Sequence, residues 1–292
     1  MKSKAPRIGI SGSTLKLLAI LSMFIDHAGA TVIRTICNQP AILADASLRS
    51  LWNQIYSVSR SIGRIAFPIF CFLIVEGFLH TRNVRKYALR LFLFALISEI
   101  PFDLALKGNW YYPQKQNVYF TLLIGLLVLA GFRYLAQGPQ ALWQKAGPAS
   151  RQSSILAPGQ KLESIAGEKN VPGSGHKAES AAPKKAGFLR GLLIFPILAA
   201  GMYLAAWIDT DYNFKGVFLI AVLYLMEQSR LLQCAAGACA VAWELPAPLA
   251  FLPIGLYNGS RGRQMKYFFY WFYPVHLLLL HAISKYLIPW IL

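Results

Sequence analysis

The sequence predicts an all-α fold, a polytopic membrane helix bundle of about eight or nine transmembrane helices (range about 8–10). Two observations predict this fold class. The chain of 292 residues is 56% hydrophobic and only 14% charged, which excludes disordered, collagen-like and ordinary cytosolic proteins. The apolar residues also fall into runs, and one membrane crossing needs about 20 mostly apolar residues.

The chain is strongly basic, with a formal net charge of +17 from 29 Lys and Arg against 12 Asp and Glu. In a soluble protein this excess would suggest a nucleic-acid partner. Here the basic residues cluster beside apolar segments, as the bias of positive charge toward cytoplasmic loops predicts. We therefore expect a lipid bilayer around the chain and no nucleic-acid partner. The cysteines lack CxxC spacing, so neither a disulfide framework nor a metal site is predicted.

The N-terminal membrane half comprises residues 1–136 and about four predicted spans. Residues 15–36 form the first span, and the basic residues Lys2, Lys4 and Arg7 before it predict a cytoplasmic N-terminus. Residues 48–62 mix arginines with aromatic and aliphatic side chains, and we expect them at the outer interface of the membrane. Further apolar runs occupy residues 65–79, 87–106 and 118–135.

Residues 137–187 differ in composition from both flanks. They are rich in Gly, Ser, Pro and Lys and contain one aromatic residue, Trp143. Such a segment buries too little apolar surface to fold by itself. We expect a flexible polar cytoplasmic linker between the two membrane halves.

The C-terminal half, residues 188–292, contains about four or five predicted spans. Residues 231–243 and 249–257 are short apolar runs separated by Glu244 and two prolines. One long bent span would place the following basic residues outside, whereas two half-length passes would keep them inside. The charge bias favours two passes. The remaining apolar runs occupy residues 188–208, 214–228 and 267–292.

Several ionisable residues lie within the apolar runs, where each costs about 2.5–3.5 kcal/mol to insert. Asp26 and His27 lie near the middle of the first span. Adjacent helical side chains point about 100° apart, so these two do not face one another, and either could simply bond a neighbouring helix. The others are Glu76, Glu99, Asp103 and His276.

Two pairs of these residues have i,i+4 spacing. Glu76 and His80 could form a simple ion pair near the inner surface. Glu99 and Asp103 are like charges on one helix face that repel if unpaired. This predicts a shared cation, a proton, or an arginine partner such as Arg60 or Arg64. Structural pairing and substrate binding both remain open, as do a membrane-embedded enzyme and a proton-coupled transporter.

Longer motifs resemble the TraX family of integral membrane proteins. The similarity covers most of the chain outside residues 137–187, and its motifs lie in residues 15–29, 61–83, 97–103, 117–121, 257–262 and 273–276. The resemblance implies a multi-pass protein of the bacterial inner membrane that uses acetyl-CoA to acetylate the pilin N-terminus. Large membrane acyltransferases also often carry an Arg, ten residues and then a His on their first span. Lys16 and His27 have this spacing, but lysine lacks the planar guanidinium fork.

Acetyl transfer needs a base, and on this resemblance we expect His27 to be the base or a transiently acetylated nucleophile. Asp26 would hold a neighbouring helix or bias the charge of the site, and His276 would donate to the thioester oxygen or orient the acceptor. The expected CoA contacts are Lys16, Arg82, Arg85, Lys86, Arg90, Asn258, Arg261, Arg263 and Lys266. Charge that only sets the topology explains most of these residues almost as well.

The expected acceptor-binding residues are Arg60, Arg64, Glu76, Glu99, Asp103, Asn117, Asp211 and Tyr273. The acceptor itself stays open between pilin, another exported protein and an envelope glycan. A transporter or channel, and a non-catalytic assembly factor of a pilus or secretion apparatus, are the rival functions.

Overall fold

A computed structural model describes residues 9–137, 192–263 and 266–291, without the side chain of Lys266. All regular elements in these ranges are helical, so the predicted all-α class is confirmed. The only β contacts there are isolated bridges that join Ile10 to Tyr257 and Gln116 to Thr210. The predicted linker lies almost entirely outside the described residues.

Helix α1 runs through Gly12–Ala28, a π-helical turn at Gly29–Ile33, and Arg34–Cys37. It begins where the Ser11 hydroxyl accepts a hydrogen bond from the backbone N–H of Thr14, a typical N-cap. The other helices of the N-terminal half are α2 (Pro40–Ala44), α3 (Ala46–Gly63), α4 (Ala66–His80), α5 (Val84–Lys107) and α6 (Val118–Gln137).

The C-terminal half has shorter helices. The structure describes α7 (Ile194–Trp207), α8 (Asn213–Leu225), α9 (Arg230–Ala240) and α10 (Phe251–Gly255), the last entered through a 3₁₀ turn at Ala247–Ala250. Helix α11 runs through Lys266–Ala282, a π-helical turn at Ile283–Leu287, and Ile288–Ile291.

Four helical stretches of the described ranges are long and apolar enough to cross a membrane: Gly12–Cys37, Ala46–His80, Val118–Gln137 and Tyr267–Ile291. The second is divided at Arg64 into α3 and α4. Helices α7 and α8 are apolar but have only 14 and 13 residues, fewer than the about 20 that a full crossing needs. The predicted count of eight or nine spans is therefore not confirmed.

Helix α4 is the centre of the main core, because it is apolar on nearly every side. Its Phe72 and Phe78 are fully buried beside Leu15 of α1 and Leu126 of α6. Helix α3 instead lies along the second half of α1, where small residues allow close approach. A Cβ added at Gly29 would collide with Ser59, and one added at Gly63 would overlap the Asp26 side chain.

Helices α9 and α10 form an antiparallel hairpin. Gly237 of α9 faces Phe251, and Gly255 of α10 lies opposite Cys234. Arg230 at the hairpin's start bonds Glu76, and Arg261 just after its end contacts the His80 carbonyl oxygen. Both ends of the hairpin therefore lie where α4 ends and α1 begins, which we call the basic end. This is the arrangement of two half-length segments that the sequence favours.

The tip of this hairpin reaches deep into the bundle. Glu244 at the tip bonds Arg64, which lies at the break between α3 and α4. Helix α4 has 15 residues, so this contact lies about 22 Å from the basic end. A carboxylate is thereby carried to the level of Asp26 on α1.

Candidate active site

Two histidines from opposite ends of the chain meet inside the bundle. His27 of α1 and His276 of α11 have their Nδ1 and Nε2 atoms 2.7 Å apart. The two rings are nearly parallel, with centroids 5.0 Å apart. Both residues are buried, at 7% and 3% exposure. We call them the histidine pair.

The hydrogen bonds determine which ring nitrogens carry protons in the neutral pair. The Nδ1 atom of His276 lies 2.7 Å from the Phe272 carbonyl oxygen, which can only accept, so His276 Nδ1–H is the donor. The Nε2 atom of His276 then accepts from His27 Nδ1–H. The Nε2 atom of His27 is left with a lone pair, and no described residue donates a hydrogen bond to it. This nitrogen can serve as a base or a nucleophile.

Aromatic side chains enclose the histidine pair. Phe272 stacks on His276 with ring centroids 4.8 Å apart, and Phe24 approaches the same ring at 6.1 Å. Tyr273 packs its ring edge-on against His27 at 5.9 Å. These contacts restrict water around the pair and fix the orientation of both imidazoles.

Asp26 does not partner its neighbour His27, as the 100° helical offset predicts. Arg60 of α3 donates from Nη1 to Asp26 Oδ2 at 2.6 Å and also contacts the Asp26 carbonyl oxygen. The side chains of Asp26 and Arg60 are 17% and 27% exposed, so solvent reaches this ion pair. Asp211, predicted to bind the acceptor, lies 3.9 Å from Lys115 and within electrostatic range of Arg60.

The predicted arginine partner of Glu99 and Asp103 is wrong, because Arg60 bonds Asp26 and Arg64 bonds Glu244. Glu99 instead accepts a hydrogen bond from the Asn117 side chain. Asp103 accepts from the backbone N–H of Tyr112 at 2.7 Å. Asn117 also donates to the Ala95 carbonyl oxygen at 2.8 Å, so it ties α6 to α5.

Glu76 lies apart from the other predicted acceptor residues. Its carboxylate accepts from Arg230 at 3.2 Å, at the basic end. Its i,i+4 neighbour His80 donates from Nδ1 to the Glu76 backbone carbonyl oxygen at 2.8 Å, and the same nitrogen lies 3.6 Å from the carboxylate. Glu99 lies 15 positions, or about 22 Å, from the start of α5 at this end. The structure therefore does not bring Glu76 and Glu99 into one site.

The predicted CoA contacts gather at the basic end. The Lys16 ammonium lies 5.3 Å from the Phe269 ring centroid and within electrostatic range of Arg261. The Arg263 N–H donates to the Ser13 hydroxyl at the start of α1. Arg82 lies in the turn after α4, and Arg85, Lys86 and Arg90 lie in the first two turns of α5. They belong to the same end of the bundle as the loop before α11, which contains Asn258, Arg261 and Arg263.

Sequence reasoning missed Arg230 and Glu244 as members of these clusters. Both are charged residues beside short apolar runs, which is the signal that identified the other candidates. The sequence indicates Glu244 only as a break between two short apolar runs. Its pairing with Arg64 depends on the hairpin's depth, which sequence spacing does not reveal.

Comparison with known proteins identifies the family of the chain. A sequence profile of the TraX protein family matches residues 11–147 and 189–284. The chain belongs to the TraX family. This TraX protein is also 28% identical, over 291 residues, to the probable fimbrial assembly protein FimC, serogroup H1, of Dichelobacter nodosus. That alignment covers 96% of the chain and 98% of the relative. No solved structure shows significant similarity to the chain.

Proposed function

We propose that this TraX protein is an acyltransferase of the bacterial inner membrane that moves an acetyl group from acetyl-CoA to an amine or hydroxyl group of a pilus subunit. The observation that carries the proposal is the histidine pair. A buried His27 with an unprotonated Nε2, held in one tautomer by His276, is arranged as a general base. The naming of a relative as a fimbrial assembly protein supports a pilus subunit as the acceptor.

In the proposed reaction, the acceptor nitrogen or oxygen attacks the thioester carbonyl carbon of acetyl-CoA. His27 Nε2 takes the proton that the nucleophile releases as the new bond forms. The carbon–sulfur bond then breaks, and the same proton passes to the departing thiolate. His276 is a positioning residue, because its bond to Nδ1 keeps the reactive lone pair of His27 on Nε2.

The two substrates would approach from opposite ends of the bundle. Acetyl-CoA is a cytoplasmic polyanion, and the basic end offers Lys16, Arg261 and Arg263 to its phosphates. The acceptor would approach from the other end, where Asp26, Arg60 and Asp211 lie in partly exposed positions. His27 lies 15 residues, or about 22 Å, along α1 from the basic end, between the two approaches.

The test is acetyl transfer by the purified protein, with mass spectrometry of the fimbrial subunit to detect the added acetyl group. His27→Ala should lower the rate by about 10²–10⁴-fold, the typical contribution of a general base. His276→Phe keeps the ring but removes the nitrogen that accepts from His27, and should also lower the rate. His281→Ala is the matched control, since His281 follows His276 on α11 without joining the pair.

Rates within a few-fold of the parent for a folded His27→Ala protein would contradict the proposal. Solute or proton flux in vesicles without acetyl-CoA, and no acetylated product, would indicate a transporter instead. Normal pilus assembly by His27→Ala would favour a non-catalytic assembly factor.

A further inference from the structure

A group of buried polar atoms near the histidine pair has no hydrogen-bond partner among the described residues. It includes Glu99 Oε1, Asp103 Oδ1, the Ser98 hydroxyl and the Tyr273 hydroxyl. Asp26 Oδ1 also lacks a hydrogen bond, but the other oxygen of that carboxylate accepts from Arg60. Ser98 and Tyr273 are 0% and 3% exposed. The Val118 N–H approaches the Tyr273 hydroxyl but does not reach hydrogen-bonding geometry.

No described Lys or Arg side chain forms an ion pair with either carboxylate. Lys107 attracts the Asp103 carboxylate electrostatically but does not form an ion pair with it. A buried carboxylate oxygen without a donor is costly, so such groups in native proteins normally have a partner. The second oxygen of Glu99 is held by Asn117, which leaves Oε1 as the atom that needs a cationic or donating partner.

This group borders the reactive histidine. Tyr273 packs against the His27 ring and, at 5.1 Å between ring centroids, against Tyr119. The Tyr119 N–H donates to the side-chain oxygen of Asn117, whose amide group in turn donates to Glu99. A partner bound between Glu99 and Tyr273 would therefore lie beside His27. Glu99 lies on α5, its partner Asn117 directly precedes α6, and Tyr273 lies on α11.

We propose that Glu99 is a second base of the reaction, which binds an ammonium group of the acceptor and removes its first proton before His27 acts. The inference rests on the proposed acyl transfer. It divides the chemistry between two bases, because an ammonium nitrogen has no lone pair and must lose two protons to become an amide.

The ammonium gives one proton to Glu99 Oε1, which leaves a neutral amine with a free electron pair. The amine nitrogen bonds to the thioester carbon, the carbon–sulfur bond breaks, and His27 carries the second proton from nitrogen to the thiolate. Glu99 then releases its proton to water. The products are the acetamide, CoA thiol and one proton.

The test compares two peptides with the N-terminal sequence of the subunit. One has the natural N-terminal amine, and the other has a hydroxyl group in place of that amine. Glu99→Gln keeps the size of the side chain and an oxygen for Asn117 but cannot take a proton. The ratio of kcat/KM for the amine peptide to that for the hydroxyl peptide should fall by about 10- to 100-fold. Glu99→Asp should restore part of this ratio, since it restores a carboxylate.

The matched control is Asp209→Asn, which removes one negative charge from the α7–α8 loop and suits its positive φ of 45°. If Glu99→Gln lowers kcat/KM equally for both peptides, Glu99 is only structural and the inference is overturned.

Binding of the two peptides without acetyl-CoA provides a separate measurement. If the parent transfers to neither peptide, the proposed function fails. If the parent binds the amine peptide more tightly than the hydroxyl peptide and Glu99→Gln abolishes this difference, the ammonium site is still supported. If the parent binds both peptides equally, the ammonium site is refuted.

Discussion

Adjacent residues on α1 connect different parts of the molecule. Asp26 bonds Arg60 on α3, whereas His27 bonds His276 on α11. The divergence follows from the helical rotation of about 100° per residue. Asp26 therefore holds this part of α1 against α3, and His27 holds it against α11.

The close packing of α1 and α3 depends on Gly63. A Cβ at this position would overlap the Asp26 carboxylate, so Gly63→Ala should separate the helices and weaken the Asp26–Arg60 pair. We expect a loss of about 1–3 kcal/mol, the usual cost of overpacking. The measurement is thermal unfolding of the protein in detergent.

Gly255→Ala is the control for that substitution. Its new Cβ would meet only Cys234 Sγ at 3.8 Å, an ordinary contact, and the unfolding temperature should stay close to the parent's. Equal stabilities of the two variants would contradict the importance of the α1–α3 contact.

At the scale of elements, the α9–α10 hairpin places the Glu244 carboxylate inside the bundle. Its two ends lie at the basic end, and its tip delivers Glu244 to Arg64. A half-length hairpin can hold a carboxylate at this depth because it packs against α4 and α8 and is not left in hydrocarbon.

Labelling of single cysteines tests this hairpin. In a background without Cys37, Cys71, Cys234 and Cys239, a cysteine in place of Ser229 or Ser260 should label from the same side of the membrane. Trp110→Cys, in the exposed loop after α5, should label from the other side. With the predicted cytoplasmic N-terminus, an impermeant thiol reagent would reach only Trp110→Cys in intact cells. Opposite labelling of Ser229→Cys and Ser260→Cys would mean that the segment crosses the membrane once.

For the whole molecule, the histidine pair lies between the basic end and the opposite end of the bundle. If the basic end binds acetyl-CoA, replacing Arg261, Arg263 and Lys266 with Gln should weaken binding by about 10- to 1000-fold. The loss should shrink at high salt, because added ions screen the parent's charges. Titration of the detergent-solubilised protein with acetyl-CoA measures it.

The control for the triple variant removes three positive charges from the opposite end through Arg49→Gln, Lys107→Gln and Lys115→Gln. Its affinity for acetyl-CoA should stay near the parent's. If instead the two triple variants bind equally well, the basic residues only orient the last span, and the donor site must lie elsewhere.

Much of the secondary structure and several site residues were predictable from the sequence. The first span, the α6 span and the last span follow from apolar runs, which are local patterns. His27 and His276 were identified as charged or polar residues inside such runs. Their contact was not predictable, because no pattern in a single sequence relates the faces of helices that are 249 residues apart.

The sequence by itself determined the helical class, the basic charge bias, the family motifs and the identity of most candidate residues, because these depend on composition and local spacing. Only the tertiary structure decided the partners. It paired Arg60 with Asp26 and Arg64 with Glu244, and within the described ranges it gave Glu99 no basic partner. The reason is physical: whether a buried charge is satisfied depends on which helices pack together and at what depth, and packing is a property of the whole chain.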